Sequence, residues 1–346
     1  MSRQGIIGLS LLVLLIVCFM VNLSVGNVNV PISHVFGSLM EKIGIQTDLK
    51  ISEVEYHVVY NIRFPRAVYS CLIGSGLAVS GAALQGIFRN PLVDSALIGI
   101  STGASLFASL FILFSGLVPW LIIFSEGLSL SIVAFLGASI VAFIVYRLSL
   151  SNGEINSLTL ILAGIALNAL TAALTGLLTF FATDDELRDL TFWTLGSLGS
   201  ANNDSVLLLA VFTIVPMILI FFRAKSLNVL ALGESNAQYM GYKVKTIKLL
   251  VIICSTCMVG SAVSMAGVIG FIGLVVPHII RIVSGPDHKL LLPFSAFFGA
   301  ILLSGADMIS RTILPPTEVP IGIITALMGT PVFIAIIFKH KRKFSV

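Results

Sequence analysis

The sequence predicts an all-α, polytopic membrane protein with about ten transmembrane helices, and three observations carry that prediction. First, 57% of its 346 residues are hydrophobic and only 10% are charged, where a soluble chain carries about 25%. Second, the charges are clustered. No Asp, Glu, Lys or Arg occurs in 67–88, 95–125, 127–146, 155–183, 205–222, 249–280, 290–306 or 319–338. A crossing needs roughly 20 apolar residues, and a charge at its centre costs about 2.5–3.5 kcal/mol on insertion scales. Third, the cations divide unequally between the two ends of the predicted crossings.

The crossings predicted in chain order are 5–25, 65–85, 95–114, 128–147, 157–182, 205–222, 246–265, 268–284, 290–310 and 321–338. The first follows Arg3 and fits an uncleaved span. A signal peptide with Ser24 and Gly26 near its cleavage site is the alternative. Pro31 opens an amphipathic helix with Ile32, Val35, Phe36, Leu39 and Ile43 at helical spacing, suited to the membrane surface. The uncharged stretch 249–280 must hold two short crossings, with Gly267, Gly270 and Gly273 allowing the break. Cys254 and Cys257 have C-x-x-C spacing, but without nearby His or further Cys they read as small apolar fillers.

With both termini in the cytoplasm, fourteen of the twenty Lys and Arg fall inside, the bias expected of cytoplasmic loops. The tail Lys339–Lys343 anchors the inner end. Lys42, Lys50, Arg63, Arg66, Arg188 and Arg311 fall outside, as does the acidic stretch Asp184–Asp189. The chain reads as a single transmembrane domain, 1–346, with its largest cytoplasmic loop at 223–248.

Two crossings carry small residues at helical intervals. Ser70, Gly74, Ala78, Ala82 and Gly86 form a stripe on which another backbone can pack closely, within the chain or in a second subunit. In 157–182, alanines and glycines alternate with Asn168, Thr171 and Thr175. These polar groups are candidates for a translocation pathway or for interhelical hydrogen bonds. The sequence has no G-x-x-x-x-G-K-[ST] phosphate loop, H-E-x-x-H or G-x-S-x-G. Mid-membrane acids and bases of the kind proton-coupled carriers use are also missing. Asp307 comes nearest, but Arg311 stands one turn away and would pair with it. These absences disfavour a stand-alone secondary carrier and predict a non-catalytic subunit, with no cofactor or metal, energised by another chain.

Four segments resemble the iron-chelate and cobalamin permeases of ABC importers. They are RFPRAVYSCLIGSGLAVSGAALQGIFRNPLVD (63–94) followed by LIGISTGA (97–104), LNVLALGESNAQYMG (227–241), GVIGFIGLVVPHIIRIVSGPDH (267–288), and LLPFSAFFGAILLSGADMISRTILPPTEVPIGIITALMGTP (291–331). The resemblance implies the type II ABC importer permease fold in a bacterial inner membrane. It also implies a homo- or heterodimer around one pathway, two ATPase subunits and an extracytoplasmic solute-binding protein. Nucleic acid has no part in it.

Under this resemblance Arg63, Arg66 and Arg311 are expected to dock the binding protein, since arginine suits bidentate carboxylate pairing. The 223–248 loop is expected to form two short coupling helices. Ser226 would cap the first and Gly233 end it. Glu234–Met240 would form the second, ended by Gly241, and Leu230, Leu232, Glu234 and Met240 would contact the ATPase. His278, beside Pro277, is expected to make a structural hydrogen bond rather than to ligate haem. The segment DDELRDLTFWTLGSLGSA (184–201) is most similar to haem importers. Haem and ferric siderophores are both expected cargoes, with cobalamin the alternative.

Overall fold

The computed structural model describes residues 2–26, 30–42, 45, 49, 51–116, 126–151 and 153–341. Ile43, Lys50, Arg342 and Lys343, and the side chains of Lys42, Lys339 and Lys341, lie outside the described residues, and with them the expected cationic tail. The helices are α1 (Arg3–Ser24), α2 (Ile32–Lys42), α3 (Glu53–His57), α4 (Phe64–Phe88), α5 (Ile100–Phe114), α6 (Glu126–Leu148), α7 (Ser157–Phe181), α8 (Asp184–Leu195), α9 (Asn203–Phe222), α10 (Ala224–Ala231), α11 (Glu234–Tyr239), α12 (Val244–Ala266), α13 (Ile272–Ser284), α14 (His288–Thr312) and α15 (Ile321–Lys341). A π-helical turn, Val58–Arg63, leads into α4, and a 3-10 turn, Ser95–Ile98, precedes α5. Strands β1 (Leu150–Ser151) and β2 (Glu154–Ile155) pair antiparallel between α6 and α7.

Among the described residues, seven helical stretches are long and apolar enough to cross a membrane, and α5, α13 and the first part of α15 are shorter apolar helices. Together they occupy the ten predicted crossings. Local sequence explains their ends. Pro65 stands at the start of α4, where the π-helical turn Val58–Arg63 passes into regular α-helix. Asn156 caps α7 by accepting from Thr159 N at 3.0 Å. The acidic stretch 184–189 is helical rather than a loop, because Thr183 and Glu186 form a capping box that starts α8.

The centre of the bundle is α4, and its small-residue stripe packs within the chain. Ser70 Oγ lies 2.9 Å from Ser304 Oγ on α14. The backbones of Gly74 and Gly299 meet so closely that a Cβ on either would overlap the other's carbonyl. Without side chains in the way, dispersion and polar contacts between the two helices replace contacts with lipid. Near the far end of the stripe, a Cβ at Gly86 would lie 2.7 Å from His288 Nε2.

Two helices are too short to span alone. Fifteen residues of α5 rise about 22 Å, against a hydrocarbon core of about 30 Å. Its N-terminus begins within the bundle. Asn168, midway along α7, bonds Ala96 O at 2.8 Å and accepts from Thr102 Oγ1 at 2.7 Å. The predicted crossing 95–114 is therefore a 3-10 turn plus a short helix, joined at Gly99 with φ +80°. The break expected in 249–280 lies at 267–271, where Gly267 (φ +75°) and Phe271 (φ +68°) adopt left-handed backbone. Gly273 belongs to α13 instead. Gly267 and Ile269 of this break are buried in protein, the setting in which irregular backbone between membrane helices is tolerated.

Candidate functional sites

At one end of the bundle, Arg63, Arg66 and Arg311 come together, as the sequence suggested, but their guanidinium groups turn inward. Asp307, on α14 and fully buried, is the hub. Arg66 reaches it with Nε at 2.9 Å and Nη2 at 2.8 Å. Arg311 Nη2 lies 3.1 Å from it, so the pairing expected one turn away forms. Asn22 Nδ2 adds a hydrogen bond at 3.3 Å. Arg63 donates to Leu23 O at 2.8 Å and Ser24 O at 2.7 Å. Arg311 donates to Asn22 Oδ1 at 2.9 Å and Asn22 O at 3.3 Å. Both cations thus satisfy carbonyls that the last turn of α1 leaves without intrahelical partners, where positive charge is favoured.

The cluster opens outward only at Glu318. Its carboxylate takes Arg66 Nη1 and Nη2 at 2.7 and 2.8 Å, and its side chain is 36% exposed. The expectation of outward-facing docking arginines is corrected to this extent: in the chain alone all three are buried and engaged. The sequence missed Asn22 and Glu318, which lie far from Arg66 along the chain. The Arg66 hydrogen bonds hold Glu318 below its ordinary value of 4.5. A lowered carboxylate stabilises the fold above the ordinary value and loses that contribution as pH falls through its folded value. The difference in melting temperature between the wild type and Glu318→Gln is thus expected to be present at neutral pH and to vanish in acid. A difference independent of pH would exclude the ion pair as its source.

At the other end, the 223–248 segment forms the expected pair of short helices, α10 and α11. Ser226 lies inside α10 rather than capping it, since the helix starts at Ala224. Gly233 (φ +116°) and Gly241 (φ +82°) end the two helices, in backbone that L side chains rarely adopt. Leu232 and Met240 are exposed, and so is Tyr239 at 90%. Leu230 is buried in the main core, so it supports α10 from beneath and offers no outer contact. Tyr239 was missed because one aromatic in a short polar segment carries no periodic signal. Glu234 faces inward, its Oε2 accepting from Lys248 Nζ at 2.7 Å. Asn228 secures α10 to α14, bonding Asp287 Oδ1 at 2.6 Å and accepting from His288 N at 2.9 Å.

Between the two ends, α7 has only Leu160, Gly164 and Thr171 buried among its 25 residues. Asn168 is occupied by Ala96 and Thr102. Thr171 Oγ1 donates to Leu167 O at 2.8 Å and Thr175 Oγ1 to Thr171 O at 2.9 Å, so both hydroxyls serve their own helix. Of the pathway candidates, buried Thr171 is therefore a packing residue in this structure. The exposed face of α7 carries Leu158, Leu162, Ile165, Leu170, Leu174 and Leu177. Cys254 and Cys257 are free, in keeping with apolar filling. His278 is buried within α13.

A family model described as the FecCD transport family matches residues 14–339. The chain belongs to that family. It is the permease subunit of an ABC importer, a multi-pass protein of the bacterial inner membrane, and its class works with an ATPase and a solute-binding protein. This FecCD member is 41% identical over 295 residues to a hemin transport system permease protein, HmuU, of Yersinia pestis, covering 85% of this chain and 87% of that protein. It is 39% identical over 285 residues to a cobalamin import system permease protein, BtuC, of Halobacterium salinarum, covering 82% and 74% respectively. Among solved structures it is similar to a metal-chelate type ABC transporter in an inward-facing conformation. There the TM-score is 0.83 at 31% identity, over 97% of this chain and 99% of that one.

Proposed function

We propose that this permease imports an iron complex, with haem favoured, energised by ATP hydrolysis in the partner ATPase. The observation that carries the cargo is the 41% identity with the Yersinia hemin permease, and the α8 segment DDELRDLTFWTLGSLGSA points the same way. Ferric siderophores are the second iron cargo. Cobalamin is the alternative, supported by the 39% identity with the cobalamin permease. Growth of a deletion strain on haemin or on single ferric siderophores as sole iron source, with and without this chain restored, tests the cargo. A requirement for the chain only on haemin is the expected result, and a requirement limited to one siderophore would discard haem.

In this proposal both termini and the 223–248 segment are cytoplasmic. Leu232, Tyr239 and Met240 then face the ATPase, and the arginine cluster faces the binding protein. The proposed assembly is a permease dimer with two ATPase copies. The lightly buried, apolar face of α7 supports placing α7 against the second subunit or the pathway. Docking through Arg66 requires exchange, because Glu318 already occupies its outer fork. Glu318→Gln weakens that occupant while leaving Asp307 in place. It is expected to tighten binding-protein affinity several-fold, as measured by titration on permease in nanodiscs. Unchanged affinity would remove Arg66 from the docking surface. Reversing Arg66 to glutamate is a poorer test, since it would place two further acids, the new glutamate and Glu318, beside Asp307 and endanger folding.

A further inference from the structure

Lys248 has no part in the roles above, yet it is among the most deliberately held side chains in the molecule. It lies near the start of α12 and is 2% exposed. Its ammonium has three donors and uses all of them, on Ile155 O at 2.9 Å, Ser157 Oγ at 3.0 Å and Glu234 Oε2 at 2.7 Å. These acceptors belong to three different elements: β2, the first residue of α7 and the first residue of α11. Ser157 Oγ also donates to the second oxygen of Glu234 at 3.4 Å, and Arg89 Nη2 stands 4.0 Å from that oxygen. The start of α7 and the start of α11 are therefore joined twice, directly and through the same ammonium.

Two features make this a mechanical joint. Water has almost no access to the ammonium, so an α11 that moved away would leave an unpaired buried charge, and separation is strongly opposed. The helix at the other side of the joint is α7, of whose 25 residues only Leu160, Gly164 and Thr171 are buried and whose long outer face is exposed in the chain alone. The companion helix α10 is anchored elsewhere, to Asp287 and His288 of α14. A displacement of the helix pair thus has two exits, and the ionic one leads to α7.

We propose that Lys248 is a positioning residue that carries movement of the α10–α11 pair into α7, so that α7 and α11 shift as one body. This rests on the placement of α10–α11 against the ATPase made above. The test uses the assembled permease–ATPase complex with spin labels at the exposed positions Leu158 and Gln238, in a background with the four native cysteines replaced. With Lys248 present, the label separation is expected to stay the same in the nucleotide-free and ATP-trapped states. In Lys248→Met it is expected to change between those states by on the order of 2 Å, the size of ordinary interface helix shifts. Basal ATP hydrolysis should persist in that variant.

A separation that varies with nucleotide in the wild type, or that stays fixed in Lys248→Met, overturns the joint. Where Lys248→Met fails to assemble, Glu234→Gln carries the same distance measurement with the same two readings. A wild-type chain that captures no ATPase would overturn the placement of α10–α11 itself, and the inference with it.

Discussion

Replacing Asp307 by alanine is expected to destabilise the permease by about 3–5 kcal/mol, the range for removing one partner of a buried ion pair. The size follows from what is left behind. Arg66 and Arg311 are both buried, and both place a nitrogen within 3.1 Å of this one carboxylate. Without it, Arg66 keeps only Glu318, and Arg311 keeps only acceptors on Asn22 and the Asp307 backbone. Asn22 loses an acceptor as well, so α1 loosens from α14. Asp307→Asn keeps the shape and one acceptor and should lose less. The check is loss of the monodisperse peak after graded heating in detergent. An alanine variant melting with the wild type would refute Asp307 as the anchor of this end.

The second large effect concerns packing. Gly81→Ala is expected to lower stability by about 3 kcal/mol or more, at or above the upper end for overpacked cores. A Cβ at Gly81 would fall on the carbonyl of Gly273, where α4 and α13 touch backbone to backbone. No rotamer relieves that overlap, so α13 must move, and its irregular lead-in at 267–271 moves with it. Gly305→Ala, in α14, is the matched comparison. Its Cβ would meet no atom within 4 Å, and removing a helical glycine is expected to stabilise by roughly 0.5–1 kcal/mol. Opposite signs from two glycine-to-alanine changes would show that close approach, rather than glycine content, is what α4 requires. Equal shifts would refute it.

Membrane crossings are legible in sequence because their physics is one-dimensional. Hydrophobic length and charge-free runs placed all ten near their observed positions, α5 and α13 included. The small stripe on α4 was legible too, since a four-residue interval fixes a face, but its partner α14 was not. The arginine cluster shows where this kind of reading stops. Arg63, Arg66 and Arg311 were visible as scarce cations at one end, while Asn22 and Glu318 looked like isolated polar residues. Leu230 looked like its neighbours Leu232 and Met240, and only packing placed it underneath. Lys248 read simply as one more cytoplasmic lysine.

Sequence by itself determined the membrane class, the number of crossings, the small-residue face of α4 and membership of the FecCD type. The first three depend on composition and spacing along one chain, and the family on the motifs that the chain carries in order. Tertiary structure alone decided that Arg66 turns inward to Asp307 and Glu318, that the Thr171 side chain is buried, and that Lys248 ties α11 to α7. The ties of Arg66 and Lys248 join residues 14 to 252 positions apart. Which acid meets which base across that separation is set by how the helices cross, and no local periodicity encodes it.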